Sequence, residues 1–179
     1  MNRYRFKSEH RIPMSKDYAL ETINADWQAV HNATLIFVMH QGKVLLIRKK
    51  RGLGAGKING PGGKTEGSET AQACAHRELE EELRISVDTS ENRGRLRFQF
   101  IDGYSLDVRV FVATSYSGEP TETDEAIPLW FDFDHIPFEE MWEDDKIWLI
   151  RVLQGEQVDG RFIFDGDRML QHEIVFSGR

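Results

Sequence analysis

Residues 63–85, GKTEGSETAQACAHRELEEELRI, constrain the fold of this chain more than any other stretch. At about 100° per residue, Glu78, Glu81 and Glu82 fall within an arc of about 100° over one helical turn. Leu79 and Leu83 lie beside that arc and Ala75 extends the apolar strip, so the carboxylates run along the margin of the buried face. Two carboxylates about 4 Å apart repel by about 4 kcal/mol at an effective dielectric of 20. A cluster of three therefore calls for protons or cations, and hard oxygen donors favour Mg²⁺ or Mn²⁺. The single cysteine, Cys74, excludes a thiolate zinc site and reads as a small buried residue of the same helix.

A run of glutamates on a helix is ordinarily a solvated face. The wider spacing changes that reading. Gly63, Glu69, Arg77, Glu78, Glu81 and Glu82 stand at fixed intervals, and six such identities coincide about once in ten million start positions by composition alone. Upstream, residues 51–67 carry seven glycines with Asn59 and Pro61, so the segment is a shaped loop between a strand and the helix. Ser68 is the expected N-cap, with Glu69 in the first turn. Gly63, Lys64 and Thr65 look like the end of a phosphate-binding P-loop, but that motif needs glycine where Ile58 stands. Gly52, Gly54 and Gly56 form no dinucleotide fingerprint either.

At 179 residues and 40% hydrophobic, the chain can bury one good core, so one principal domain is expected. No apolar run reaches membrane-spanning length and the start has no signal-peptide pattern, so no membrane association is expected. One cysteine suits a reducing cytoplasm. A net charge of −7 argues against a broad surface for nucleic acid polymers. Arg48, Lys49, Lys50, Arg51, Lys57 and Lys64 nevertheless make a basic patch beside the glycine loop, suited to phosphate.

The order of elements is mixed. Residues 33–39 and 43–48 are apolar, β-rich runs joined by His40, Gln41 and Gly42, a hairpin signal. Residues 95–101 and 106–114 alternate around a turn at Asp102 and Gly103. Residues 127–131 read as a short strand, 145–154 as a second helix, and 161–164 and 173–176 as late strands around Asp165 and Gly166. This order suits an α/β protein with a mixed sheet and helices on both faces. Residues 1–30 are expected to be an addition to a core domain over 31–179. Leu20, Ile23, Trp27 and Val30 share one helical face after Ser15, Lys16 and Asp17, predicting a helix packed on the domain, with a dimer contact as the other reading. Arg3, Arg5, Lys7 and Arg11 hint at targeting, but Glu9 and Asp17 interrupt the pattern.

The spacing over residues 63–85 resembles the signature of the Nudix hydrolases. Eight of its nine specified positions fit; the ninth, normally glycine, is Arg84. The resemblance implies an α/β/α sandwich with a mixed β-sheet and a Mg²⁺-dependent hydrolase, with Mn²⁺ as a further possible cation. It sharpens outside the signature. KKRGLGAGKINGPGGK at 49–64 and the segment 121–145, ending IPFEEMWEDD, are similar to the vertebrate-type 8-oxo-dGTP diphosphatases of that family. The similarity runs from about Thr34 to the end of the chain. It implies hydrolysis of oxidised purine nucleoside triphosphates, of the 8-oxo-dGTP and 2-hydroxy-dATP type, to monophosphate and pyrophosphate. Such an enzyme sanitises the nucleotide pool, with a small nucleotide as its partner and a monomer or homodimer as its state.

The same resemblance implies the site. Glu78, Glu81, Glu82, Glu125 and the backbone carbonyl of Gly63 would hold the metal. Arg77 and Glu69 would pair to orient the helix carboxylates, and Glu81 or Glu125 would take the proton of the attacking water. Asn59, Asp144 and Asp145 would hydrogen-bond the purine, Trp142 and Phe98 would sandwich it, and Thr34 and Lys49 would line the pocket. The adjacent aspartates have a rationale of their own. Confined to one pocket, they raise each other's pKa, and a protonated carboxyl offers both donor and acceptor to a base edge. The plainer reading is a helix cap. Most of Trp130, Phe131, Phe133, Phe138 and Trp148 read as core. The six histidines show no paired metal spacing and read as structural.

The pattern also has departures. Pro61, Ile58 and Leu53 stand at aromatic positions of those enzymes, Leu106 replaces a methionine and Glu143 a proline. Arg84 costs of order 1 kcal/mol if its position needs positive φ. Two other readings follow: a Nudix pyrophosphatase for another nucleotide or nucleoside diphosphate derivative, and a non-catalytic nucleotide-binding Nudix module. The intact glutamate set argues against the second.

Overall fold

The structure, a computed structural model, describes residues 19–178. The apolar runs form strands β1 (His31–His40), β2 (Lys43–Lys49) and the short β3 (Ile58–Asn59), followed by helix α1 (Ala71–Leu83). Strands β4 (Glu91–Phe100), β5 (Ser105–Ala113) and β6 (Ala126–Asp132) precede helix α2 (Asp145–Leu153), and β7 (Gln157–Asp165) and β8 (Arg168–Ser177) close the chain. The strand order is β3-β2-β1-β5-β4-β7-β8, with β6 along β2. β1 with β5 and β4 with β7 pair in parallel, and the other pairs are antiparallel, giving the expected mixed sheet.

Alternation within the strands places one helix on each face. Phe37, Val44 and Leu46 join Trp148, Leu149 and Val152 of α2 in one core cluster. Ile36, Val38, Leu45 and Ile47 join Ala75, Leu79 and Leu83 of α1 in the other. The β1–β2 hairpin turns on Gln41 and Gly42, both at positive φ, the geometry of a tight two-residue turn. Among the described residues no helix is long and apolar enough to cross a membrane.

Two local expectations are corrected. Helix α1 starts at Ala71 with Thr70, not Ser68, as N-cap; Thr70 Oγ1 accepts from Ala73 N at 3.1 Å. Glu69 is drawn instead to Arg77 and to Glu66 N, closing a turn before the helix. The helix predicted through Leu20 and Val30 does not form. Leu20–Thr22 make one 3-10 turn, and the chain then runs irregularly to β1. Local polar bonds take the backbone elsewhere: Thr22 Oγ1 donates to Ala19 O, and Asn24 Oδ1 accepts from Asp26 N. Ile23 is fully buried, Arg161 holds its carbonyl, and Trp27 Nε1 donates to Gln99 Oε1. Residues 1–18, with the basic positions from Arg3 to Arg11, lie outside the described residues.

Arg84 occupies the left-handed region at φ 60°, ψ 26°, as the C-cap of α1. The glycine usual at this position carries no Cβ penalty there, so the arginine is a genuine departure.

Candidate active site

Helix α1 presents its acidic margin to the loop that precedes it. Leu79 and Leu83 are fully buried, and their burial pulls Glu82, on the same margin, to 1% exposure. Glu82 Oε2 accepts from Gly62 N at 2.9 Å, and Lys49 Nζ stands 3.4 Å from Oε1. Burial pushes the Glu82 carboxyl up to about 7, against the pull of Lys49 and the Gly62 amide. Burial raises Glu78 as well. Its carboxylate lies against Gly63 so closely that a Cβ there would come within 2.3–2.5 Å of it.

Arg77 organises the exposed side of this cluster. Its guanidinium takes Glu69 by two bonds (3.1 and 2.8 Å) and reaches Glu78 (2.9 Å) and Glu81 (3.0 Å) with Nη1. The bonds from Arg77 hold Glu69 down at about 2. Glu125 comes from the loop before β6 and is ion-paired with Arg51. That loop is stapled to the end of α1, since Thr123 Oγ1 donates to Glu82 O and Thr121 N to Leu83 O. Five of the six basic residues around the glycine loop are likewise drawn to acids: Arg48 to Glu140, Lys49 to Glu82, Lys50 to Glu122, Arg51 to Glu125 and Lys57 to Asp167. The basic run is therefore a set of neutralised pairs, not a bare anion surface.

The donors here are all oxygen, the set that hard divalent cations take. Glu78 and Glu82 are desolvated, and the Gly63 cradle admits the carboxylate only because it lacks a Cβ. These residues suit such a cation. Among the described residues no three acidic groups converge as ligands; Arg77 bridges Glu78 and Glu81, Lys49 pairs with Glu82 and Arg51 with Glu125. The Gly63 carbonyl accepts from Thr34 N at 2.8 Å and lies 3.7 Å from Cys74 Sγ, contacts that anchor the loop to β1 and α1.

Beside the acidic cluster opens a cavity of about 670 Å³. All seven residues expected at the substrate line it: Thr34, Lys49, Asn59, Phe98, Trp142, Asp144 and Asp145. Gly62, Gly63 and Lys49 connect it to the glutamates. Asp144 and Asp145 are 2% and 3% exposed. Asp144 holds the N-cap position of α2 but makes no side-chain cap bond; its Oδ2 accepts from Trp148 Nε1 at 2.8 Å. Asp145 Oδ2 accepts from Trp142 N at 3.2 Å. Burial raises both carboxyls, Asp144 to about 6 and Asp145 well above the ordinary aspartate range, where the charge of Asp144 adds to the effect. Asn59 Oδ1 accepts from Gly60 N, which leaves its amide nitrogen for the cavity.

Phe98 stacks on Phe162 at 5.0 Å between ring centres. Trp142 meets the edges of Phe100 and Phe164. Sequence reasoning missed Phe100, Phe164 and Tyr104 in the cavity wall. Phe100 was findable, two residues beyond Phe98 on the same strand face. The Asp144 to Trp148 bond was also findable, at i and i+4 across the start of a helix. Tyr104, under Lys64 at 5.4 Å, and Phe164 arrive by tertiary pairing alone.

Residues 29–152 match the NUDIX domain. An oxidized purine nucleoside triphosphate hydrolase of Danio rerio is 48% identical over 143 residues, covering 79% of this chain and 92% of that protein. One from Mus musculus is 43% identical with the same coverage. Among solved structures, a MutT protein from Bacillus halodurans superposes with a TM-score of 0.72 at 25% identity, covering 81% of this chain and 97% of that one. With its acidic helix margin, glycine cradle and adjoining cavity, the chain belongs to the Nudix hydrolase family.

Proposed function

We propose that this enzyme hydrolyses oxidised purine nucleoside triphosphates to the monophosphate and pyrophosphate, in the cytoplasm, with Mg²⁺ as its cation. The observation that carries the reading is the buried pair Asp144 and Asp145 in the wall of the cavity beside the glutamate cluster. The relatives at 48% and 43% identity, named as hydrolases of this kind, support it. Nudix hydrolases generally use divalent cations. Glu78, Glu81, Glu82 and Glu125 are the proposed holders of the cation, which when bound offsets phosphate charge and acidifies water.

The chain's own residues do the rest. Trp142 and Phe98 offer aromatic faces for the base. Asn59 presents amide hydrogens. A protonated Asp145 donates to a base acceptor while its other oxygen stays with Trp142 N. Such a donor and acceptor pair reads a purine edge that an ionised carboxylate would repel. Lys49, at the junction of cavity and glutamates, steadies phosphate charge. Arg77 fixes Glu78 and Glu81 in place, and Glu81 or Glu125 takes the proton from the attacking water. Chromatography of the products tests this directly. Equimolar monophosphate and pyrophosphate from 8-oxo-dGTP, abolished by a chelator, is expected; diphosphate and orthophosphate would overturn the cleavage assignment.

A further inference from the structure

The wall of the cavity around Trp142 is held by contacts that neither the glutamates nor the aspartates explain. Lys57, at the end of the glycine loop, lies 5.1 Å over the Trp142 ring and pairs with Asp167 at 3.0 Å. Asp167 and Gly166 belong to turn 165–168 between β7 and β8, and both line the cavity. The strand that leaves this turn is held as well: Glu143 Oε2 accepts from Met169 N of β8 at 2.7 Å. Glu143 is the residue directly after Trp142.

The loop that delivers Lys57 is itself fixed. Gly56 N donates to Lys49 O and Lys57 N to Gly54 O, while Arg48 bonds both Gly56 O and Glu140, just ahead of Trp142. Gly54 packs so near the indole that a Cβ would stand 3.0 Å from Nε1. Loop 50–57, the Trp142 segment and turn 165–168 therefore form one closed set of contacts around a single aromatic ring.

We propose that Lys57 and Glu143 are positioning residues for the substrate base: Lys57 clasps turn 165–168 to the glycine loop, Glu143 ties the start of β8 to the Trp142 segment, and together they fix Trp142 as a rigid wall of the cavity. This rests on the reading of the cavity as the nucleotide site. A prefixed indole loses less conformational freedom when a purine stacks on it, so the clasp acts on affinity more than on turnover. The charge of Lys57 also lies on the side of the pocket that holds Asp145, whose proton affinity it lowers.

The test uses the full chain and two substrates, 8-oxo-dGTP and dGTP, with dGMP binding followed by tryptophan fluorescence. Lys57→Met and Asp167→Asn should each raise KM and the dGMP Kd by about two- to fivefold, the scale of a partly exposed cation–π contact. Changes in kcat should be smaller. The double variant should be no worse than either single, and Glu143→Ala should act in the same direction. Lys57→Arg should restore binding, since a guanidinium both stacks on the ring and pairs with Asp167. In a Trp142→Phe background the effect of Lys57→Met should shrink. Unchanged KM and Kd in Lys57→Met and Asp167→Asn, or an effect undiminished in the Trp142→Phe background, would overturn the proposal. Because dGMP binding is read separately, a wild type with no preference for the oxidised base would count against the substrate assignment and leave the clasp measurable.

Discussion

Gly63→Ala separates the catalytic role of the glutamate cluster from its structural one. The new Cβ would stand 2.3 Å from both Glu78 Cδ and Oε1, and 2.5 Å from Oε2. Ordinary contact requires the carboxylate to retreat by about 1 Å. Gly63 lies outside the left-handed region, so alanine adds no backbone strain there. The atoms displaced are the free end of a flexible side chain. The stability cost is therefore confined to weakening the Arg77 Nη1 bond to Glu78, about 1–2 kcal/mol. That is a fall of a few degrees in Tm for a chain of this size. Activity should respond far more, since a misplacement of about 1 Å in a reacting site costs on the order of 100-fold. The assay is kcat/KM for 8-oxo-dGTP alongside a thermal melt. Turnover within threefold of wild type would refute the argument, and so would a loss of activity accounted for by global unfolding.

Other consequences follow from the same geometry. Glu81→Gln and Glu82→Gln should each lower kcat by orders of magnitude while circular dichroism stays native; near-normal turnover in both would sink the mechanism. Burial raises the carboxyls of Asp144, to about 6, and Asp145. Groups raised in the fold stabilise it fully below about pH 4, and that contribution is lost as the pH rises through 6 and above. Between pH 5 and 8 the Tm of wild type should thus fall more than that of Asp145→Asn; parallel curves would contradict the buried, protonated pair. Arg84→Gly should relieve the left-handed C-cap, adding about 1 kcal/mol and a few degrees of Tm with kcat unchanged.

Much of the fold was legible because it depends on local periodicity. The α1 carboxylate margin follows from a repeat of 3.6 and strands β4 and β5 from alternation around Asp102 and Gly103, while Gly42 marks the first hairpin turn. The cavity residues were reached through the resemblance, and the structure gathers all seven of them. Composition concealed how charges pair. Six basic residues in sequence look like an anion patch, yet Arg48, Lys50 and Lys57 find acids 92, 72 and 110 residues away along the chain. The segment at Leu20 to Val30 has helical spacing, but Asn24 and Thr22 divert its backbone and Arg161 takes its carbonyls. The choice of Thr70 over Ser68 depended on Glu69 turning to Arg77, a bond that a capping rule does not contain. The bond from Thr34 N to the Gly63 carbonyl was not legible, because it joins β1 to a loop whose path no local rule sets.

The central claim is that this Nudix cavity selects oxidised purines. The most direct test is the rate of Mg²⁺-dependent pyrophosphate release from 8-oxo-dGTP, 2-hydroxy-dATP, dGTP and dATP under identical conditions. A preference of tenfold or more in kcat/KM for an oxidised base over its parent, about 1.4 kcal/mol, is expected. Equal rates on all four would contradict it, leaving a Nudix hydrolase whose buried aspartates do not read the base.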